Sequence, residues 1–190
     1  DRTSRKYEHI RRRNRISPGS RPDVFREIDF FRAIHAESPR TFLIVNRTGA
    51  YRYDTESLQD SAVLHFPSDC ESSLYKNGVL WTVHSNGDIG RFVSRTGVFE
   101  RVPMSRGRTR TNMNLVHSLF MDRSGLLWLF RAGQEPVLYD PRKGSVSVIE
   151  PSVMPTDIPV SMVTEDRNGS VWLANPGYGL TTIERRVKRF

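Results

Sequence analysis

Five histidines (His9, His35, His65, His84 and His117) and one cysteine, Cys70, are the residues of this chain best suited to move protons, attack or hold a metal. Their spacing supports none of these roles. No His-Glu-x-x-His pattern pairs two imidazoles on a helix face, no Gly-x-Ser-x-Gly elbow raises a serine, and a lone cysteine forms no internal disulfide or cluster. No glycine loop of the phosphate-cradling type and no kinase motif occurs. The turns DRSG (122–125) and DRNG (166–169) each offer one carboxylate where a calcium loop needs several. Asp122 and Asp166 are therefore read as turn formers that bond nearby backbone N–H groups. What remains suits binding of a polyhydroxyl or anionic ligand. His84, Asn86, Gln134 and Asn175 both donate and accept hydrogen bonds, Tyr178 offers an aromatic face, and Arg108, Arg110 and Arg131 could fork onto carboxylate or sulfate. These eight lie far apart in sequence and make a site only if the fold gathers them.

The elements that would gather them repeat. VHSLFMDRSGLLWLF (116–130) and VSMVTEDRNGSVWLA (160–174) share a β-rich run, an acidic residue, a glycine turn and a second run carrying a tryptophan. KNGVLWTV (76–83) keeps the turn and the tryptophan, and SPRTFLIV (38–45) keeps the shape with Leu43 in the tryptophan's place. Leu43, Trp81, Trp128 and Trp172 are thus 38, 47 and 44 residues apart. A period of this length built of short strands is the mark of a propeller or array. The third copy shows four strands joined by short turns: 115–122, 126–130, 135–140 and 145–150. This is an antiparallel meander, and the chain as a whole is expected to be all-β, a β-propeller of four-stranded blades. A β-sandwich is the structural rival, but it does not require the same cassette at every step.

Residues 1–29 are assigned to the last strand of a preceding blade plus a basic connection, 30–67 to blade 1, 68–104 to blade 2, 105–152 to blade 3 and 153–190 to blade 4, its last strand incomplete in VKRF (187–190). All belong to one propeller, expected to be part of a larger ring of about seven blades; closure as a four-bladed ring, with residues 4–10 pairing against the last blade, is the alternative. Trp81, Trp128 and Trp172, at one position of each unit in its most apolar strand, are expected to be core residues that pack one blade on the next. In such blades the loop between strands two and three and the blade-to-blade connection emerge on one rim. That rim would bring together all eight candidate residues, with the connections 103–114 and 151–159 beside them.

MDRSGLLWLF followed by LYD, and EDRNGSVWLA followed by GYGLTTIE, resemble the two-component regulator propeller repeat, with NGVLWTV and GAYRYD looser. The resemblance spans most of residues 30–190. Copy one departs from it by lacking the tryptophan and the Asp-x-x-Gly turn, and copy two has Lys76 where the aspartate would stand. Such repeats build the extracytoplasmic sensor half of hybrid two-component histidine kinases. The resemblance therefore implies a non-catalytic, periplasmic sensing segment of a membrane-bound kinase that responds to an oligosaccharide, uronic or sulfated on the evidence of the arginines. Its further partners would be the rest of the propeller, a neighbouring sensor domain and a second copy in a homodimer. A protein-interaction scaffold without a small-molecule ligand is the alternative, and a propeller lyase or hydrolase is a third class.

Charge supports this order. The net +8 sits mainly in residues 1–26, where nine Arg or Lys face Asp1, Glu8 and Asp23; the remaining residues carry 20 basic against 18 acidic groups. RRRNR (11–15) could meet phosphate or sulfate, yet the repeat body is nearly neutral, which argues against nucleic acid as the main partner. No apolar run reaches the roughly 18–20 residues that cross a bilayer, so this segment is not expected to insert in a membrane. No cofactor is implied.

Overall fold

The structure, a computed structural model, describes residues 31–102, 116–131, 136–149 and 160–184, without the side chains of Val116, His117 and Arg131. The strand expected near residues 4–10, the basic stretch and VKRF lie outside the described residues. Within them the chain is all-β. The first sheet holds β1 (Phe31–Ala36), β2 (Thr41–Asn46), β3 (Gly49–Asp54) and β4 (Gln59–His65); the second holds β5 (Cys70–Lys76), β6 (Val79–His84), β7 (Ile89–Val93) and β8 (Val98–Val102). The third holds β9 (Val116–Met121), β10 (Leu127–Arg131), β11 (Val137–Asp140) and β12 (Ser145–Val148), and the fourth β13 (Met162–Glu165), β14 (Val171–Asn175) and β15 (Gly179–Ile183). Strands pair only with their sequence neighbours, all antiparallel, as a meander requires.

Turn chemistry fixes each hairpin. Asn77 and Gly78 both take positive φ, 54° and 76°, the backbone of the two-residue turn whose twist matches a strand pair. Where the turn is Asp-x-x-Gly, the aspartate works at both ends. Asp122 accepts from Leu126 N–H (3.1 Å) with one oxygen and from the Trp128 indole N–H (2.6 Å) with the other. Asp166 repeats the arrangement with Ser170 N–H (3.0 Å) and the Trp172 indole (2.9 Å). The turn thereby aims the tryptophan, which accounts for the two residues recurring together.

Alternation along each second strand then decides what faces what. Leu43 and Val45 of β2 pack on Cys70, Leu80 and Phe92 of the second sheet. Trp81 and Val83 of β6 pack on Met121, Leu127, Leu129 and Tyr139 of the third. Trp128 and Phe130 of β10 pack on Val160, Val171, Leu173 and Ile183 in and beside the fourth. The tryptophan face always meets the aliphatic face of the following sheet. First strands β1, β5, β9 and β13 stand side by side, so the sheets stack laterally as blades.

Trp172 departs from expectation. Trp81 and Trp128 are 3% and 2% exposed, but Trp172 is 37% exposed. The reason is positional: among the described residues no sheet follows the fourth to close over its indole face. Replacing Trp128 with Ala should therefore lower unfolding free energy by about 3–5 kcal/mol, and replacing Trp172 by less than about half as much. Urea unfolding of the two variants checks this; equal losses would contradict the stacking order.

Candidate functional site

Two rims result from this topology. On one, the turns entering the second strands stitch neighbouring sheets together. The Arg52 Nη2 group donates to Glu37 (2.8 Å) and to Ser94 Oγ of the second sheet (3.0 Å). Lys76, standing where other copies have aspartate, reaches across to Met121 O of the third sheet at 2.7 Å. Arg123 N–H donates to Glu165 Oε2 of the fourth at 2.7 Å, and the Arg123 guanidinium to Arg167 O at 3.1 Å. Arg52 beside Glu37 holds that carboxyl below its ordinary range.

The other rim gathers the loops between second and third strands with the connections between sheets. The connection 66–70 joins the first two sheets here: Phe66 N–H and Cys70 N–H donate to Thr48 O and Arg47 O (2.8 and 2.7 Å), while Ser85 N–H donates to Asp69 O (2.8 Å). Asn46, His84, Arg131 and Asn175 each close a second strand at this rim. Asn46 uses its Oδ1 to accept from Thr48 N–H and Gly49 N–H, at 2.9 and 2.7 Å, shaping its own turn.

Of the eight expected binding residues, Arg108, Arg110 and Gln134 lie outside the described residues, as does the Arg131 side chain. Tyr178 is on this rim and 70% exposed. Asn86 is exposed there, but its amide is engaged: Nδ2 donates to Asp88 Oδ2 (2.9 Å) and Oδ1 accepts from Asp88 N–H (3.1 Å). Two of the expected residues, Asn175 and His84, are not exposed. Asn175 is buried, and its Oδ1 accepts from Thr181 Oγ1 at 2.8 Å. His84 is 2% exposed. Its Nδ1 lies 2.9 Å from Ser68 O, and its Nε2 lies 2.9 Å from Thr82 Oγ1. A carbonyl only accepts, so Nδ1 carries the proton and Nε2 receives the threonine hydroxyl. Phe66 and Phe99 meet the ring edge-on. In this structure the side chains of both His84 and Asn175 are turned inward and hydrogen-bonded within the rim.

Glycine makes this packing fit. A Cβ on Gly90 would lie 2.2 Å from Thr82 Oγ1 and 2.9 Å from His84 Nε2, so only a bare α-carbon fits there. That cross-strand glycine was the sequence signal for a bulky buried partner. Sequence reading also missed the ion pairs of this rim. Arg47 pairs with Asp69, Arg101 with Asp88, and Arg32 with Glu71 at 3.7 Å. On the described part of the rim these cations are thus paired with carboxylates, and Tyr178 of the fourth sheet stands open. Among the described residues no group of three or more His, Cys, Asp or Glu is placed to hold a metal. Burial pushes the Cys70 thiol up to about 12, so it stays protonated at neutral pH.

No protein-family model matches the chain, and no curated protein matches it. Solved structures do. It is similar to the extracellular domain of BT4673 from B. thetaiotaomicron, described as a hybrid two component system, with 20% identity, TM-score 0.64, 85% of this chain and 22% of that one covered. The extracellular domain of BT3049 from the same organism, described in the same terms, shares 18% identity at TM-score 0.55, covering 76% of this chain and 20% of that one. The WD40 β-propeller domain of Doa1 shares 12% identity at TM-score 0.62, covering 84% and 52%. The chain spans about a fifth of the length of the two extracellular domains it matches. The fold is a β-propeller, and the resemblance to two-component propeller repeats is met by the fold of such extracellular domains.

Buried His84 and half-buried His35 set a pH dependence. Burial lowers the pKa of His84 and of His35, whose Nε2 lies 2.8 Å from Ser73 Oγ. In the unfolded chain both take up protons near the ordinary value of about 6.5, before the folded chain does. The unfolded state therefore binds more protons in that window, and stability must fall as pH drops below it. Urea midpoints at pH 7.5 and 5.5 should show this loss, and a His35→Gln/His84→Gln variant should show a flatter dependence.

Proposed function

We propose that this chain is a non-catalytic, ligand-sensing part of the extracytoplasmic propeller of a membrane-bound hybrid two-component sensor histidine kinase, placed in the periplasm and responsive to an oligosaccharide. The observation that carries this reading is the joint occurrence of the Asp-x-x-Gly/Trp cassette and the propeller fold seen in the extracellular domains of two such systems. The rim that carries Tyr178 is the recognition face. An exposed aromatic ring matches the apolar face of a pyranose. Arg108, Arg110, Arg131 and Gln134 are assigned to the same face from their places in the repeat, and they favour a uronic or sulfated sugar. Asn86 contributes by shaping the loop through Asp88. Ligand preference for one arrangement of the sheets would bias the downstream connector and become signal. A rest-of-propeller contact, a neighbouring sensor domain and a homodimeric partner complete the assembly in this reading.

The alternative is a scaffold that presents the same rim to another protein. Isothermal calorimetry of the folded chain against neutral, uronic and sulfated oligosaccharides separates the two. The sensor reading expects heat from at least one anionic glycan, with affinity reduced about tenfold or more in Tyr178→Ala, the loss of one stacking platform. No heat from any glycan would favour the scaffold.

A further inference from the structure

The outer strand of a four-stranded sheet leaves a row of backbone N–H and C=O groups with no strand beside it, and proteins blunt such edges with charge, proline or a bulge. Among the described residues, β4 and β8 are blunted in this way. β4 carries Asp60 and His65, and its register with β3 shifts between Ala50 and Tyr51. β8 carries Glu100 and Arg101, paired with Arg91 and Asp88. The outer strand of the third sheet, β12, has none of these devices. It reads Ser145-Val146-Ser147-Val148 and pairs with β11 in an unbroken register. All four residues are exposed, Val146 by 44% and Val148 by 51%. We infer that β12 is an interaction edge whose occupant is β12 of a second copy of this chain, added antiparallel about a two-fold axis that passes between the two Ser147 residues.

Hydrogen-bond alternation selects both the partner and the register. Ile149 N–H donates to Pro136 O at 2.9 Å, so Ile149 bonds inward to β11, and Ser147 and Ser145 do the same. Val146 and Val148 therefore turn their N–H and C=O groups outward. An axis at Ser147 sets Val146 opposite the second copy's Val148 and engages the outward groups of both valines on both strands. Within Ser145–Val148, any other centre leaves one valine opposite a residue beyond the strand. A strand that pairs antiparallel with its own copy must read alike in both directions, and Val146-Ser147-Val148 does. The match extends to the side chains. Valine meets valine on one face, a favourable β-branched pair, and the two Ser147 hydroxyls meet on the other. No charge within the strand is set against its like. A peptide from a different protein could use the same backbone groups, but it has no need of this symmetry. The pairing gives a surface to the homodimeric partner of the sensor reading, yet it rests neither on that reading nor on a ligand at Tyr178.

In that register the two Ser147 Cα atoms lie about 4.5 Å apart, within the span of a disulfide, whereas the two Ser145 Cα atoms lie roughly 14 Å apart. Mild copper–phenanthroline oxidation of the 190-residue chain carrying Ser147→Cys, read by non-reducing electrophoresis, should therefore trap a dimer about tenfold faster than it does with Ser145→Cys. The unaltered chain should stay uncross-linked, because Cys70 is buried. A four-residue strand makes a weak pair, so the trapped fraction should rise with protein concentration. Val148→Pro removes one outward N–H and leaves the bonds to β11 in place. Val146→Lys charges the edge, as β8 is charged. Either, added to Ser147→Cys, should slow trapping to the Ser145→Cys rate while the near-ultraviolet circular dichroism is retained. Failure of the folded Ser147→Cys chain to cross-link would overturn the inference, whether the edge is covered by another part of the chain or kept for a different protein. Equal rates for the two cysteine variants would overturn it as well, since collision rather than register would then set the rate. So would trapping that neither added substitution slows. No glycan enters this experiment, so its failure leaves the calorimetric test of the sensor reading untouched.

Discussion

A sheet whose middle strand is apolar on both sides cannot stand alone in water, and everything else here follows from that constraint. Each second strand carries large apolar groups at successive positions, so it has no solvent face to offer. Burial on one side by the preceding sheet still leaves the other side wet. The chain answers by placing the next sheet against it, and the cost of exposure is passed along until a face is left over. In the first three sheets the second strand is enclosed from both sides: Leu43 and Ile44, Leu80 and Trp81, and Leu127 and Trp128 are all buried. The Asp-x-x-Gly turn makes the stacking specific. By accepting the indole N–H, Asp122 satisfies the one polar atom of Trp128 and fixes the ring's direction before the next sheet closes over it.

The two rims divide the work that remains. The rim built from tight turns carries the polar links between sheets, made by Arg52, Lys76 and Arg123, and two of these use backbone carbonyls as acceptors. A backbone carbonyl does not depend on the residue type there, so this rim holds its spacing while side chains change. On the other rim the described connection, 66–70, itself links two sheets. Chemical variety therefore accumulates on one side of the molecule and mechanical regularity on the other.

That division explains how much of the molecule was legible in the sequence. Fold class and strand order follow from features that repeat: the glycine turns, the alternation and the tryptophan period. Features made once are harder to read. His84 ends its strand where Asn46, Arg131 and Asn175 end theirs, so position alone places it on the rim. What buries it is a single combination of Gly90, Thr82 and two phenylalanines, visible in sequence only as a glycine opposite a threonine in an antiparallel pair. Trp172 shows the converse. Its residue type and local turn repeat those of Trp128 down to the aspartate bond, yet its exposure differs because exposure is set by the neighbouring sheet and not by the cassette.

In the sensor reading proposed above, stacking by nearest neighbours decides how a signal could leave the array. Because each sheet packs on the one before and the one after, the compliant coordinate is the angle between adjacent sheets. The connection 66–70 is hydrogen-bonded to a turn of the first sheet at Arg47 and Thr48 and to a turn of the second at Ser85. It bridges two bodies at the rim where the loops are longest, opposite the rim held by Arg52 and Ser94. A ligand that pulled on that bridge would act at the far end of a lever whose near end is fixed. A small displacement at the loops would then become a rotation between sheets without disturbing either tryptophan interface. The interior cannot absorb it, since a close-packed core transmits strain rather than yielding to it.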